Sequence, residues 1–236
     1  GKSVNCRYTA KNKREILDSR LNATRVLSEA VLQAQHPPKI WFNAASATIY
    51  RHAEDRPMDE FTGEIGSDFS MDVCKAWEKS FYDLTLPATR KVILRMSITM
   101  GINGGVYLRF KNLVRFGLGG KMGNGKQMMS WIHVEDIARA ISFIIEKENI
   151  NGIINVTSPN PVSNATFMSA VRKAMFMPFG LPTPRWFLAF GAFVIGTETE
   201  LILKSRWVIP QKLLNAGFTF KYAELNDLVN NVNSKR

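Results

Sequence analysis

Short apolar runs alternate with stretches of helical period along most of this 236-residue chain, and that alternation restricts its fold more than any single motif. Strand-like runs lie at Lys39 to Ala45, Lys91 to Met96, about Met129 to Ile132, and Gly152 to Val156. Before the first of them, Lys11 to Gln35 sets Leu17, Leu21, Leu27 and Val31, with Ala23 and Ala30, on one face of a long helix that His36-Pro37-Pro38 stops. Asp68 to Leu84 repeats Phe69, Val73, Trp77 and Phe81 at i, i+4, the pattern of an amphipathic helix. Further helices are predicted from Val106 to Phe116, from Val134 to about Lys147 with Glu135 and Asp136 in its first turn, and from a Ser163-Asn164 cap to about Met175. Strand, helix, strand in this order is the rhythm of a parallel sheet covered on both faces.

The segment Arg51 to Ser67 is polar and punctuated by Gly and Pro, hence a loop. From Pro182 onward the chain turns to helical segments, with Phe218-Thr219-Phe220 as one short strand, and reads as a cap. The most apolar stretch, Trp186 to Gly196, is too short for the ~20 residues of a membrane helix and is predicted as a buried helix. The expected division is a dinucleotide-binding-type domain over 1–160, its 101–128 segment reaching to the substrate side, and a substrate or cap region over 161–236. Because the chain starts at Gly1 with no leading strand, the sheet is expected to lack its first βαβ units.

A composition of 45% hydrophobic and 22% charged residues is that of an ordinary globule. Cys6 and Cys74 have no paired spacing, which argues against a disulfide framework or zinc site and points to a reducing, cytoplasmic setting. The net charge of +11 suits an anionic ligand. Its basic residues are scattered among acidic ones without a helix-turn-helix, zinc-finger or RNA-binding signature, so a small-molecule substrate is expected rather than nucleic acid or membrane.

Two motifs are decoys. Gly120-Lys121-Met122-Gly123-Asn124-Gly125-Lys126 follows a P-loop until Gln127, which lacks the magnesium-holding hydroxyl, and a strand-like run follows it instead of a helix. It is read as a flexible turn. His133, in His133-Val134-Glu135-Asp136, has no second ligand at i+4 and is read as a strand-end histidine rather than a metal ligand.

The chemistry-bearing pattern is Ser46-Ala47-Thr48-Ile49-Tyr50 after the first apolar run, with Lys75 in the next helix at 75 − 46 = 29 positions on. Reducing a carbonyl by hydride transfer needs a proton donor at its oxygen, and a tyrosine serves near neutral pH when a neighbouring cation lowers its pKa. A tyrosine one turn before the lysine would stand at position 71, where this chain has Met71.

These residues resemble the extended short-chain dehydrogenase/reductase superfamily of NAD(P)-dependent epimerases and dehydratases, in particular the epimerase-like subgroup with an additional C-terminal domain. Ser46 to Tyr50 is similar to the S-A-T-V-Y segment, Lys75 to the lysine of Y-x-x-x-K, and Trp131 to Asp136 to the H-V-x-D motif. Asn155-Val156-Thr157-Ser158-Pro159 resembles a late strand, and Pro210 to Leu214 with Ala216-Gly217-Phe218 resembles the extra domain. The resemblance implies a Rossmann-like doubly wound sheet, NAD or NADP as cofactor, and a carbohydrate-like or nucleotide-linked substrate. It implies catalytic roles for Ser46 and Lys75, with Tyr50 as the substitute proton donor. It also implies cofactor contacts at Gly1, Lys2, Asn22, Ala44, Ala45, Lys75, Met96 and Ile98, and a homodimer through the helices at 11–35 and 68–84. With Met71 in the tyrosine's place, a catalytically inactive dinucleotide-binding regulator is the alternative.

Overall fold

The computed structural model describes residues 1–102, 104–188 and 203–234. Three parallel strands, β1 (Ile40–Ser46), β2 (Arg90–Met96) and β7 (Gly152–Val156), form a sheet in the order β1-β2-β7. Ser46 pairs with Met96 and Met96 with Val156, so the carboxyl ends of all three strands finish level. A second sheet sets β3 (Ile98–Gly101) between β4 (Gly104–Gly105) and β6 (Trp131–His133), and β5 (Met128–Met129) pairs antiparallel with β8 (Val162–Ser163).

Helices among the described residues include α1 (Ala10–Gln33), α2 (Phe69–Tyr82), α3 (Val106–Arg115), α4 (Val134–Glu146), α5 (Asn164–Ala174), α6 (Gln211–Asn215) and α7 (Leu225–Ser234). β2 is buried from Val92 to Arg95, as a central parallel strand must be when helices cover both of its faces. Val92 and Leu94 pack with Ala140 and Ile144 of α4. Ile93, on the alternate face, packs with Ala45, Phe81 of α2 and Trp41. This is the Rossmann-like doubly wound arrangement.

α1 does not bury the face that apolar periodicity selects. Ile16, Thr24 and Ser28 are its buried residues, whereas Leu27 is exposed, as are Ala23 and Ala30. The physical reason is a polar, small-residue contact with α2: the Trp77 indole N–H donates to Thr24 Oγ1 at 3.1 Å. Ser28 Oγ satisfies itself on the Thr24 carbonyl at 2.6 Å, so this hydroxyl face is buried without an unpaired group.

The C-terminal region shares its cores with the earlier chain. Leu228, Val229 and Val232 of α7 join Phe167 and Val171 of α5, Tyr107 and Trp131 in one cluster, and Leu213 and Phe218 join α4 in another. The expected strand at Phe218 to Phe220 is absent; their rings meet edge-on at 4.7 Å and Phe218 packs on Phe143 at 5.3 Å. The glycine-dense 117–125 segment is tethered rather than flexible, its Gly120 and Gly123 amides donating to the Leu181 and Thr183 carbonyls. The helix expected for Trp186 to Gly196 lies outside the described residues from 189 onward; Trp186 itself is exposed. Among the described residues no helix is long and apolar enough to cross a membrane.

Asp136 ties the tail to α4. Its carboxylate is fully buried and accepts the backbone N–H of Lys221 at 2.9 Å and of Tyr222 at 2.8 Å, while Arg139 donates to it at 2.8 Å. Asp136→Ala removes the acceptor of both amides, and charge-assisted bonds of this kind contribute about 1.5–3 kcal/mol each. A loss of about 3 kcal/mol or more is expected in urea unfolding, with Glu146→Ala, on the same helix, close to wild type.

Candidate active site at the carboxyl edge of the sheet

Ser46 ends β1 and caps a short 3-10 turn over Ala47–Ile49; its Oγ accepts the Thr48 N–H at 3.2 Å and donates to Thr48 Oγ1 at 2.9 Å. The turn carries Tyr50 inward rather than toward solvent. Tyr50 is 1% exposed and its hydroxyl accepts from Arg95 Nη1 at 2.9 Å, with Asn155 Oδ1 and the Asp59 carbonyl each at 3.0 Å as its acceptors. Burial raises its pKa despite Arg95. The expected role of Tyr50 as the substitute proton donor is therefore corrected: its hydroxyl is held inside the protein by a structural network.

That network has an ion pair at its centre. Arg95 of β2 binds Glu78 of α2 through two parallel bonds, Nε to Oε1 at 2.8 Å and Nη2 to Oε2 at 2.7 Å, with both side chains under a tenth exposed. Burial opposes the Arg95 charge, but Glu78 overcomes it and raises the guanidinium's pKa. Ser70, Cys74 and Glu78 are four residues apart and share one face of α2. Anchoring Glu78 to the sheet consequently fixes where Ser70 and Cys74 project.

They project into a cavity of about 120 Å³ that Ser46 and Thr48 also line, together with Tyr8, Arg20, Trp77 and the apolar Val4, Ile16, Phe69 and Val73. The helical pair that shares this cavity with Ser46 is thus Ser70 and Cys74, one residue out of phase with the expected Met71 and Lys75. Met71 is 3% exposed and packs over Gly66, where an added Cβ would sit 2.3 Å from the Met71 sulfur and displace that side chain. Lys75 does not line the cavity; its amine, two-fifths exposed, pairs with Asp72 at 2.6 Å.

Burial, reinforced by Glu78, pushes the Cys74 thiol up to about 12, so it stays protonated and neutral. The cation on the cavity is Arg20, whose pKa burial lowers against the opposing pull of Cys74 and Tyr8. Arg20 lies over the Trp77 ring at 5.3 Å and donates to the Ile16 and Lys2 carbonyls at 2.8 and 3.1 Å.

Of the residues expected to hold a cofactor, Ala44 is exposed and Ala45 buried at the strand end, and Met96 and Ile98 are half-buried at the ends of their strands. Gly1 lies against Ser19 and Arg20. The Lys2 amide donates to Ser19 Oγ and its amine pairs with Glu15, both at 2.8 Å. Asn22 is exposed on α1. His133 is structural: Nδ1 accepts the Glu135 N–H at 3.1 Å, Nε2 meets Asn231 at 3.1 Å, and the ring lies 3.8 Å from that of Tyr222. Among the described residues no cluster of His, Cys, Asp and Glu could hold a metal ion. A shallower hollow of about 510 Å³, between Arg139 and Phe143 of α4 and Gly217 to Thr219, is open to solvent and lined by none of the expected catalytic or cofactor-binding residues.

Comparison with known proteins decides the family. The Epimerase family protein YfhF of Bacillus subtilis is 33% identical over 225 residues, covering 95% of this chain and 73% of the relative. This chain belongs to the NAD-dependent epimerase/dehydratase family. The family model itself matches residues 87–157, and a domain of unknown function (DUF1731) matches residues 183–232. A mouse relative, Epimerase family protein SDR39U1, is 28% identical and covers 96% of this chain and 76% of itself. The crystal structure of human SDR39U1 with NADPH superposes with a TM-score of 0.90 at 26% identity, over all of this chain and 80% of that one. A Bacillus cereus UDP-glucuronic acid 4-epimerase in complex with NAD shares the fold, with a TM-score of 0.73 at 16% identity over 96% of this chain and 70% of its own.

Removing one partner of a buried ion pair leaves the other charge uncompensated, at a cost of about 3–5 kcal/mol. Arg95→Met is accordingly expected to lower unfolding stability by that amount. Lys79→Met, which deletes an exposed pair with Asp83 on the same helix, is expected to change it by under about 1 kcal/mol.

Proposed function

We propose that this protein is an NAD(P)-dependent enzyme that transfers hydride to or from a carbohydrate-like or nucleotide-linked substrate. The observation that carries the reading is the Ser46 hydroxyl at the carboxyl edge of a parallel sheet, beside a small cavity lined by further hydroxyls. Ligands of doubly wound sheets bind at that edge. The edge fits a nicotinamide: Ala44 and Ala45 offer no atom beyond Cβ, so a flat ring can approach the strand ends, and Met96 and Ile98 give it apolar neighbours. A bound nicotinamide would supply or accept the hydride.

In this reading Ser46 donates a hydrogen bond to the reacting oxygen. Lys75 is one residue round α2 from the cavity. Its exposed pair with Asp72 is a weak one in water, so ribose hydroxyls can compete for the amine. Gly1, Lys2 and Asn22 belong to the approach from the α1 side. NADP is the cofactor the reading favours, because the human relative is described with NADPH. A homodimer across α1 is part of the reading, supported by its exposed Val26 and Leu27.

The second reading, a dinucleotide-binding regulator without turnover, draws on Met71 and Cys74: neither a phenol nor a cation stands on α2 beside Ser46. Titrating the protein with NADPH and following deuterium transfer from labelled NADPH to nucleotide-sugar ketones separates the two. Binding with transfer is expected, with Ser46→Ala slowing transfer about 100-fold at unchanged NADPH affinity. Binding without transfer by the wild type favours the regulator, and absence of NADPH binding contradicts both.

A further inference from the structure

Resting on that reading, we infer that Tyr8 is the acid/base hydroxyl of this site and that Arg20 is the positioning cation that sustains it, in place of the tyrosine and lysine missing from the cavity face of α2. Tyr8 comes from the segment before α1 rather than from α2. Its hydroxyl lies 3.3 Å from Ser70 Oγ, on the cavity that Ser46 lines. Its ring is fixed edge-on against Phe69 at 4.8 Å. The following residue, Thr9, caps α1 by accepting the Asn12 N–H, and Asn12 Nδ2 donates to the Arg7 carbonyl, so the backbone on both sides of Tyr8 is held.

The cavity also supplies the electrostatics. Arg20 of α1 lines the same cavity as Tyr8 and Cys74, and both favour its charged form. Coupling is reciprocal: a phenolate that favours the charged guanidinium is favoured by it to the same extent. No carboxylate lines the cavity to oppose this, Cys74 of α2 is a neutral thiol, and Lys13 of α1, over the Phe69 ring at 5.0 Å, adds positive charge. Ser70 can donate to the phenolate, as Ser46 donates to the substrate oxygen.

The proton step follows. When the carbonyl carbon receives the hydride that the reduced nicotinamide gives up, the Tyr8 O–H bond breaks and its proton goes to the carbonyl oxygen, forming the alcohol. The phenolate, held by Arg20 and Ser70, then recovers a proton from water. In the oxidising direction the phenolate would take the alcohol proton while the hydride leaves the carbinol carbon for an oxidised nicotinamide.

The test compares the wild type with Tyr8→Phe, which keeps the ring contact with Phe69, and with Arg20→Gln and Arg20→Lys. The first readout needs no turnover: the ultraviolet difference spectrum between wild type and Tyr8→Phe isolates the Tyr8 phenolate. It should develop at lower pH than the usual tyrosine value of about 10, move up in Arg20→Gln, and return toward wild type in Arg20→Lys. In the transfer assay, Tyr8→Phe should be slower by about 100-fold or more with NADPH affinity within about twofold. The pH limb of the rate should rise with the phenol in Arg20→Gln. A Tyr8 phenol ionising at or above the ordinary tyrosine range overturns the proposal, as does wild-type transfer by Tyr8→Phe. If the wild type binds NADPH but transfers no hydride, the enzymatic reading fails, and the phenol titration still decides the Tyr8 and Arg20 pairing.

Discussion

The Glu78 to Arg95 ion pair sets the rotation of α2 against the sheet, and the rest of the site depends on that rotation. Two parallel bonds hold the helix at one azimuth, because a fork of this geometry tolerates little turning. With Glu78 facing β2, the positions four and eight residues earlier face the end of β1, which makes Cys74 and Ser70 the neighbours of Ser46. Lys75 is about 100° further round the helix and reaches solvent and Asp72 instead.

The same pair recruits the later chain. Arg95 holds the Tyr50 hydroxyl, Tyr50 meets Asn155 of β7, and Asn155 Nδ2 donates to the Ile209 carbonyl at 3.0 Å just before α6. Glu60 closes the circuit by accepting the Asn155 and Lys212 amides at 2.9 and 3.3 Å. Ser130 does the equivalent at the second sheet, donating to the Arg206 carbonyl and accepting the Val208 N–H, both at 2.7 Å. Buried groups with all partners present specify one arrangement, which is how a chain of short elements keeps its C-terminal region in register with the sheet.

Much of this was legible beforehand, and the failures share a cause. The apolar runs located every strand of the parallel sheet and i, i+4 periodicity located α2, because burial on a sheet enforces those periods, while an acidic first turn and a Ser-Asn cap marked the starts of α4 and α5. Periodicity says which residues share a helix face but not which face meets the sheet. For α2 that choice lies with Glu78 and Arg95, 17 positions apart in sequence, and a shift of one residue exchanged Met71 and Lys75 for Ser70 and Cys74. For α1 the buried face is made of hydroxyls that an apolar count passes over. Tyr50 looked like a free phenol because its partners Arg95, Asn155 and Asp59 are brought to it only by folding. Tyr8 went unnoticed since residues 1–9 carry no period, and Arg20 because an apolar count of α1 passes over a cation, although the Ser70, Cys74, Glu78 repeat was a visible polar signal.

Thiol accessibility along α2 tests the helix rotation most directly. In a Cys6→Ser background the native Cys74 should resist a water-soluble thiol reagent until the chain unfolds, because its thiol is buried and neutral. The matching protein with Cys74→Ala and Lys75→Cys should be labelled rapidly while folded, because position 75 faces solvent. Rapid labelling of the folded protein at 74, with protection at 75, would contradict the account.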